Sequence, residues 1–287
     1  MPHPEHPIVI APAGLERLRR PLLPLARMVH FFLATGAADS AAAVLAELPS
    51  PIETGHARYE EPAALLAPYL PLLDALTSEQ PTTAVVLGED GRPLDAATTS
   101  TALLWQRLLE GELEEINSLL CAPCDCTLCC TGPGPEMAQE FFFIPLQGEE
   151  GRLFPLPRLE MPPSAQCTSL EDLPTLLHDT AQAHMPALLP WRGDLLLILP
   201  RGSACPQLLA GRCQCYAARP RVCRRPQIFP YLLEPQTSEA AEGTTTYRLR
   251  HGLRAVSDCP YVAALRDDIA NYAAACEMTL YYGPNKG

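Results

Sequence analysis

The run Cys121-Ala-Pro-Cys124-Asp-Cys126-Thr-Leu-Cys129-Cys130 places five thiols within ten residues. A second group follows far downstream, in Cys205-Pro206, Cys213-Gln-Cys215-Tyr216 and Arg219-Pro220-Arg-Val-Cys223-Arg224, and Cys259-Pro260 comes later still. Thiolates are soft ligands that suit zinc and iron–sulfur centres. We therefore predict that the two groups fold together around metal and that the rest of the chain supports this site.

A disulfide framework is the alternative use of these thiols. The first residues lack the basic segment and apolar run of a secretory signal, so we expect a cytoplasmic protein. Patterned cysteines in that reducing compartment bind metal or do redox chemistry more often than they form disulfides. Adjacent Cys129 and Cys130 cannot easily pair with each other, and five crowded thiols would need five distant partners. The sequence therefore favours metal.

Bulk composition limits the class of protein. The 287 residues are enough for one large or two ordinary domains, and 47% of them are apolar, which is enough for a true core. The formal net charge of −12 disfavours nucleic acid and anionic membrane surfaces as partners. No run of eighteen apolar residues is present, so no membrane span is expected.

The periodicity of apolar residues predicts an α+β fold, with a helical N-terminal region over residues 1–118 and a cysteine-rich domain of short strands and a few helices over residues 119–287. The longest predicted helix, residues 95–120, leads directly into Cys121. The other predicted helices cover residues 14–35 with a break at Pro21 and Pro24, 37–48, 61–77, 168–184 and part of 258–280. The predicted strands follow Thr82 and cover 140–146, 153–156, 194–199, 227–233 and 244–250.

The spacing of the cysteines bears on which metal they hold. Iron–sulfur clusters commonly take three nearby cysteines and a remote one that precedes proline. The first group is dense, and Cys205 and Cys259 both precede proline. A zinc ribbon would instead show two clean Cys-x-x-Cys pairs, whereas the two pairs here crowd each other. The pattern favours an iron–sulfur cluster, with [4Fe–4S] first, and leaves zinc as the alternative.

Polar residues beside the second group are candidate cofactor-binding residues. Arg219 and Arg224 would offset thiolate charge and donate to sulfur, although ordinary surface arginines are an equal alternative. Tyr216 is either a core residue with a satisfied hydroxyl, which we favour, or a catalytic one. Among seven histidines, none forms a His-Glu-x-x-His pair, which disfavours a hydrolytic zinc site.

Two signatures in the chain carry a family resemblance. The first is Cys126-x-x-Cys129-Cys130, and the second runs Gly211-Arg-Cys213-x-Cys-Tyr216-x-x-Arg219-Pro220-x-x-Cys223-Arg224, with Cys205-Pro and Cys259-Pro around it. Together they resemble the YkgJ-type zinc- or iron-chelating family, which includes flagellin lysine-N-methylases. The resemblance covers about residues 119–262 and none of residues 1–118.

The resemblance implies a ligand set and shows two departures. The family's first cysteine would fall at Pro123, so either Cys121 or Cys124 takes that place. Cys215 stands where the family has an ordinary residue. The ligands implied by the resemblance are Cys121 or Cys124, with Cys126, Cys129, Cys130, Cys205, Cys213, Cys223 and Cys259. Cys167 and Cys276 are isolated, and we expect them to be structural.

The sequence keeps three functions open. The first is a metal-cluster-binding protein of unassigned activity. The second, implied by the resemblance, is an S-adenosylmethionine-dependent protein lysine methyltransferase, although no glycine-rich strand–turn–helix for that cofactor is present. The third is a zinc-stapled interaction subunit whose N-terminal helices dock a protein partner. Catalytic residues cannot be named from the sequence, because family resemblance does not settle activity.

Overall fold

The computed structural model describes residues 8–77, 83–124, 126–135, 137–160, 173–178, 184–225, 227–236 and 245–283. The predicted α+β class is confirmed, since helices and several small sheets are both present. The helices are α1 (Pro12–Leu18), α2 (Leu23–Ala34), α3 (Ala41–Glu47), α4 (Pro62–Leu66), α5 (Leu70–Asp74), α6 (Ala96–Cys121), α7 (Leu173–His178), α8 (Arg221–Arg224), α9 (Pro260–Ala264) and α10 (Arg266–Ala275). No helix in these described ranges is both long and apolar enough to cross a bilayer.

The strands are short except near the C-terminus. They are β1 (Ile52–Glu53), β2 (Arg58–Tyr59), β3 (Val85–Leu87), β4 (Phe141–Leu146), β5 (Ala187–Trp191), β6 (Asp194–Pro200), β7 (Leu208–Leu209), β8 (Arg212–Cys213), β9 (Ile228–Pro235), β10 (Thr246–Val256) and β11 (Thr279–Gly283). Single-turn 3₁₀ helices connect several of these elements.

The described chain forms two compact units. The first unit contains residues 8–124 and 227–283, and the second unit contains residues 126–225. The sequence placed a single boundary near residue 118, with everything after it in one domain. The structure instead returns the C-terminal segment to the first unit, because β9 and β10 pair with each other and β10 also pairs with β3. Such pairing between distant segments leaves no mark on local periodicity.

The first unit places α6 against a mixed sheet. Strand β10 lies in the middle, antiparallel to β9 on one side and parallel to β3 and β11 on the other. The predicted helices of this unit are present, with the predicted break between α1 and α2 and the N-terminal cap of α6 on Asp95. Strand β11 begins in the last two residues of the segment predicted to contain the final helix, and the helix itself ends before Glu277, whose φ is +57°.

The second unit is built on an antiparallel sheet in the order β4–β6–β5. Strands β4 and β6 were predicted, but β5 was not, since Pro190 and a short apolar run gave no strand signal. A two-residue turn at Arg192 and Gly193, with φ of +49° and +88°, joins β5 to β6. The strand predicted at 153–156 is wrong: a 3₁₀ helix, Gly148–Leu153, and then irregular chain occupy that region, where Pro155 and Pro157 remove backbone donors. The capping box predicted at Thr168 and Glu171 lies outside the described residues.

A buried carboxyl group joins three elements of the first unit. Glu112 on α6 is 2% exposed, and it accepts hydrogen bonds from the Leu22 backbone N–H at 2.8 Å and from the Tyr272 hydroxyl at 2.7 Å. Burial raises the pKa of Glu112 to about 7, although the two donors act in the opposite direction. The folded protein therefore binds a proton at this carboxyl over a pH range where the unfolded chain has released it.

We expect the first unit to lose stability between about pH 5 and pH 7. The folded-state pKa is above the unfolded value, so the folded state holds more protons in this window and the free energy of unfolding falls as pH rises, by about 3 kcal/mol in total. Glu112→Gln keeps a carbonyl acceptor for the Leu22 N–H and places an amide beside the Tyr272 hydroxyl, to whose oxygen it can donate, and it should abolish this slope. Urea unfolding at pH 5 and pH 8 measures the difference.

The matched control for this prediction is Glu115→Gln on the same helix. Glu115 is exposed and forms a surface ion pair with Arg17 at 2.9 Å, so its loss should change the free energy of unfolding by less than about 1 kcal/mol. Equal pH slopes in wild type and in the Glu112→Gln variant would contradict the assignment of the slope to Glu112.

Candidate metal centre

The cysteines after residue 125 lie in a tight turn at the start of the second unit. A 3₁₀ helix spans Leu128–Cys130, and the Cys130 N–H donates to the Thr127 carbonyl at 2.8 Å. The turn aims the Leu128 N–H at the sulfur of Cys126, 3.4 Å away. A hydrogen bond to sulfur favours the ionised thiolate, which is the form that binds metal.

A short antiparallel pairing places Cys130 beside Cys205. Thr131 and Ala204 form the bridge, and the Cys205 N–H donates to the Cys130 carbonyl at 2.7 Å. The Gly132 N–H donates to the Ser203 carbonyl at 2.9 Å. Cys130 of the first group and Cys205 of the second thus lie side by side within the second unit, although many residues separate them along the chain.

This pairing depends on a glycine. A Cβ added at Gly132 would lie 2.0 Å from the Pro200 carbonyl oxygen, which belongs to β6 and cannot move away as a flexible side chain would. We therefore expect Gly132→Ala to open the Thr131–Ala204 bridge and to lower the free energy of unfolding by about 1–3 kcal/mol. Chemical denaturation with hydrogen exchange at the Cys205 amide would report both effects.

Gly148→Ala is a suitable comparison for Gly132→Ala. Nothing lies within 4 Å of a Cβ added at Gly148, although its φ of +48° brings a backbone cost of about 1–2 kcal/mol. The Cys205 amide should stay protected in Gly148→Ala and lose protection in Gly132→Ala. Equal protection in the two variants would show that the bridge tolerates the extra methyl group.

A hairpin brings Cys213 to the same region. Strands β7 and β8 are joined by Ala210 and Gly211, whose φ values of +49° and +76° are those of a two-residue turn that matches strand twist. The Leu208 N–H at the start of the hairpin donates to the Cys205 carbonyl at 2.8 Å. The Cys213 sulfur lies 3.7 Å from the sulfur of Cys215.

Cys223 lies on the short helix α8, which a carboxylate holds in place. Glu150 accepts hydrogen bonds from the Arg221 N–H at 2.7 Å and from the Gln147 N–H at 2.8 Å. Burial, followed by the charges of Cys130 and Cys205, raises the pKa of Cys223 to about 12. Burial and the charge of Cys213 raise the pKa of Cys205. Ionisation of these thiols is therefore unfavourable without a compensating cation.

The predicted cofactor-binding residues lie beside these thiols. The Arg219 guanidinium is stacked 3.7 Å from the centre of the Tyr216 ring, and its Nε donates to the Tyr216 carbonyl at 3.1 Å. Arg219 is 7% exposed, and its charge lowers the pKa of Cys223. The Nε–H of Arg224 is buried and has no hydrogen-bond partner in the described part of the chain. A buried cationic donor without an acceptor is uncommon in proteins and fits an anionic group beside Cys223.

Three of the predicted ligands belong to the first unit. Cys121 ends α6, Cys124 ends the following 3₁₀ turn, and Cys259 precedes α9 with 3% exposure. All three pack on one hydrophobic cluster of that unit, which also contains Cys276 at 1% exposure. The environment of Cys276 is that of a structural core thiol, as predicted, whereas Cys167 lies outside the described residues.

The gathered thiols do not form a closed ligand cage in the structure. In the described ranges, no group of three or more histidine, cysteine, aspartate or glutamate side chains has an arrangement that could hold a metal ion. Backbone contacts nevertheless join the segment of Cys130 to that of Cys205, and the segment of Cys205 to the hairpin that carries Cys213. The residue that sequence reasoning left out of the ligand set is Cys215, and its signal was the Cys-x-Cys spacing to Cys213.

No protein-family model matches this chain, and no curated protein or solved structure shows significant similarity to it. The resemblance to the chelating family therefore stays a prediction that rests on the two cysteine signatures.

Proposed function

We propose that this protein binds metal through its cysteine groups and that the second unit is the functional centre. The observation that carries the proposal is the backbone pairing of Cys130 with Cys205, together with the hairpin that follows Cys205 and presents Cys213 with its sulfur 3.7 Å from that of Cys215. Thiols brought together from distant chain positions in a half-buried region repel one another once ionised. A bound cation offsets that repulsion and releases the thiol protons.

The donor set and its surroundings fit a metal–thiolate group. The Leu128 N–H directed at the Cys126 sulfur supports a thiolate, and the buried Arg219 lowers the pKa of Cys223. The unsatisfied Nε–H of Arg224 offers a donor to a sulfur ligand. Hydrogen bonds of this kind orient metal ligands and tune the bound metal. Rotation of the thiol side chains on binding would close the cage.

The cysteine spacing makes an iron–sulfur cluster, with [4Fe–4S] first, the leading candidate for a bound group and zinc the alternative, and the two cysteine groups contain enough thiols for two separate centres. The support comes from the sequence: the dense first group and the cysteine–proline pairs at Cys205 and Cys259 are typical of cluster ligands. When bound, such a cluster would supply electron transfer or structural stabilisation, whereas zinc would supply stabilisation alone.

We propose in addition that the protein works in the cytoplasm, where thiols stay reduced. A protein partner or protein substrate fits the net charge of −12 better than nucleic acid does. Lysine methylation and a zinc-stapled interaction role remain hypotheses of the sequence, and no contact in the described residues favours either of them.

Anaerobic purification followed by iron, sulfide and zinc analysis tests the proposal. We expect either iron with sulfide and a broad visible absorption, or colourless protein with stoichiometric zinc. Cys276→Ala is the matched control, because this thiol packs in the core of the first unit and its replacement should leave the metal content unchanged. Well-folded wild-type protein without metal would refute the proposal.

A further inference from the structure

We propose that Cys213 and Cys215 bind one and the same metal atom as a chelating pair, so that Cys215 is a metal ligand beyond the set implied by the resemblance. This inference rests on the proposed function and specifies how the site is built. It begins from the distance of 3.7 Å between the two sulfurs. Two thiolates on one tetrahedral ion, each with a metal–sulfur bond of about 2.3 Å, lie about 3.8 Å apart.

The pair distinguishes between types of metal centre. In a four-iron cluster with four cysteine ligands, each iron takes a single cysteine, so two cysteines do not share one metal atom. Two cysteines share a metal atom in a single-ion site and in a two-iron cluster with four cysteines. The separation in this chain therefore favours zinc, or another thiophilic ion, or a [2Fe–2S] cluster over a [4Fe–4S] cluster at this pair.

Backbone hydrogen bonds fix both ends of the Cys-Gln-Cys segment. Cys213 pairs with Leu208 at the end of the β7–β8 hairpin, and the Gln214 N–H donates to the Gln207 carbonyl at 2.7 Å. The Cys215 carbonyl accepts from the Ala218 N–H at 2.9 Å and begins the 3₁₀ turn Tyr216–Ala218. Both thiols are thus presented by ordered backbone, and little conformational entropy is lost when they bind an ion.

Neighbouring thiols supply the remaining ligands. Cys205 is the next thiol along the fold, because Leu208, which pairs with Cys213, donates its N–H to the Cys205 carbonyl at 2.8 Å. Cys205 therefore supplies the third thiolate of the proposed site, and one further thiol of the second unit supplies the fourth.

The test compares wild type with Cys215→Ser, Cys213→Ser and the control Cys276→Ala. Each protein is stripped of metal under reducing conditions and titrated with Co²⁺ and with Zn²⁺, and native mass spectrometry counts the bound atoms. We expect Cys215→Ser and Cys213→Ser to weaken zinc binding equally, by more than about tenfold. Loss of a residue that only hydrogen-bonds to a metal ligand already lowers metal affinity by about 10–100-fold, and loss of a ligand itself should lower it at least as much. The thiolate-to-cobalt absorption should fall by about a quarter in each variant, as one of four ligands is lost.

A second variant keeps the test decisive if serine prevents folding. Cys215→His retains a metal-binding side chain, so it should keep the bound atom while changing the cobalt spectrum. Cys215→Ser with unchanged affinity and spectrum, beside a Cys213→Ser variant that loses both, would overturn the inference and leave the proposed function standing. A [4Fe–4S] cluster that is indifferent to Cys215→Ser would do the same.

The remaining outcomes distinguish failure of the chelating-pair inference from failure of the proposed metal-binding function. If wild type binds no metal and peptide mass mapping shows a Cys213–Cys215 disulfide under reducing purification, both the inference and the proposed function fail. If wild type holds metal, the ratio of iron to sulfide to zinc distinguishes a [2Fe–2S] cluster from a single zinc ion, and either result supports the shared use of one metal atom by the pair.

Discussion

Cys223→Ser is expected to give aggregated protein rather than a folded protein that merely lacks metal. A structural zinc site contributes about 10–16 kcal/mol at neutral pH, which is comparable to the whole stability of a domain, about 5–15 kcal/mol. The second unit has a three-stranded sheet with small apolar clusters and much irregular chain, so metal would provide a large share of its stability. Soluble yield and thermal unfolding of wild type and variant provide the measurement. Cys129→Ser, in the other cysteine group, should behave in the same way.

Removal of metal from wild type should reproduce the effect of Cys223→Ser, because each change leaves the second unit without its bound metal. A strong chelator added to native protein is expected to lower the melting temperature of the second unit and to leave the first unit folded. Cys276→Ala should melt and express like wild type. A soluble Cys223→Ser variant with unchanged thermal melting would show that the second unit folds without its thiolate site.

Local patterns in the sequence were sufficient to predict most helices. The break between α1 and α2 follows from Pro21 and Pro24, and the start of α6 follows from the side chain of Asp95, which accepts from the Thr98 N–H at 2.9 Å. The same logic failed where the decisive contacts are distant in the chain. Strand β11 is stabilised by pairing with β10, and its five residues contain no sequence pattern that predicts this pairing.

The candidate site likewise combines features that local sequence patterns predict with features that depend on contacts between distant segments. Cysteine spacing selected the candidate ligands, and the structure brings Cys130 and Cys205 together through a backbone pairing that the spacing could not reveal. Cys215 was left out of the ligand set because the resemblance has an ordinary residue at that position. The distance of 3.7 Å between its sulfur and that of Cys213 makes it a candidate ligand and gives a structural meaning to the Cys-x-Cys spacing.

The buried side-chain amide of Asn117 lies where the chain leaves the first unit and returns to it, and its hydrogen bonds hold the two segments together. The Asn117 side chain donates to the Ile228 carbonyl at 2.6 Å and accepts from the Ile228 N–H at 3.2 Å. Its oxygen also accepts from the Tyr261 hydroxyl at 2.7 Å. Asn117 precedes Cys121 by one helical turn, and Tyr261 follows Cys259, so this network fixes α6, β9 and α9 next to three predicted ligands of the first unit.

Asn117→Leu is expected to destabilise the first unit by about 2–5 kcal/mol, because it leaves the N–H and C=O of Ile228 buried without the amide that pairs with them, at about 1–3 kcal/mol each, and removes the acceptor of the Tyr261 hydroxyl. Tyr261→Phe is the matched control. It removes one hydroxyl and leaves the two bonds to Ile228 in place, so it should lower the free energy of unfolding by only about 1 kcal/mol.

Urea unfolding of the two variants distinguishes a buried polar network from simple packing. The Asn and Leu side chains have the same number and branching of heavy atoms, so a purely steric account predicts only a small loss for Asn117→Leu from the bulkier methyl groups, offset in part by the added apolar surface. The hydrogen-bond account predicts a large loss for Asn117→Leu, because a buried donor or acceptor that loses its partner bears its full desolvation penalty. That penalty is absent only when both partners of a hydrogen bond are replaced by apolar groups. A loss in Asn117→Leu no larger than that in Tyr261→Phe would therefore show that water or a shifted backbone satisfies Ile228, and that the exit and return of the chain are held by apolar packing alone.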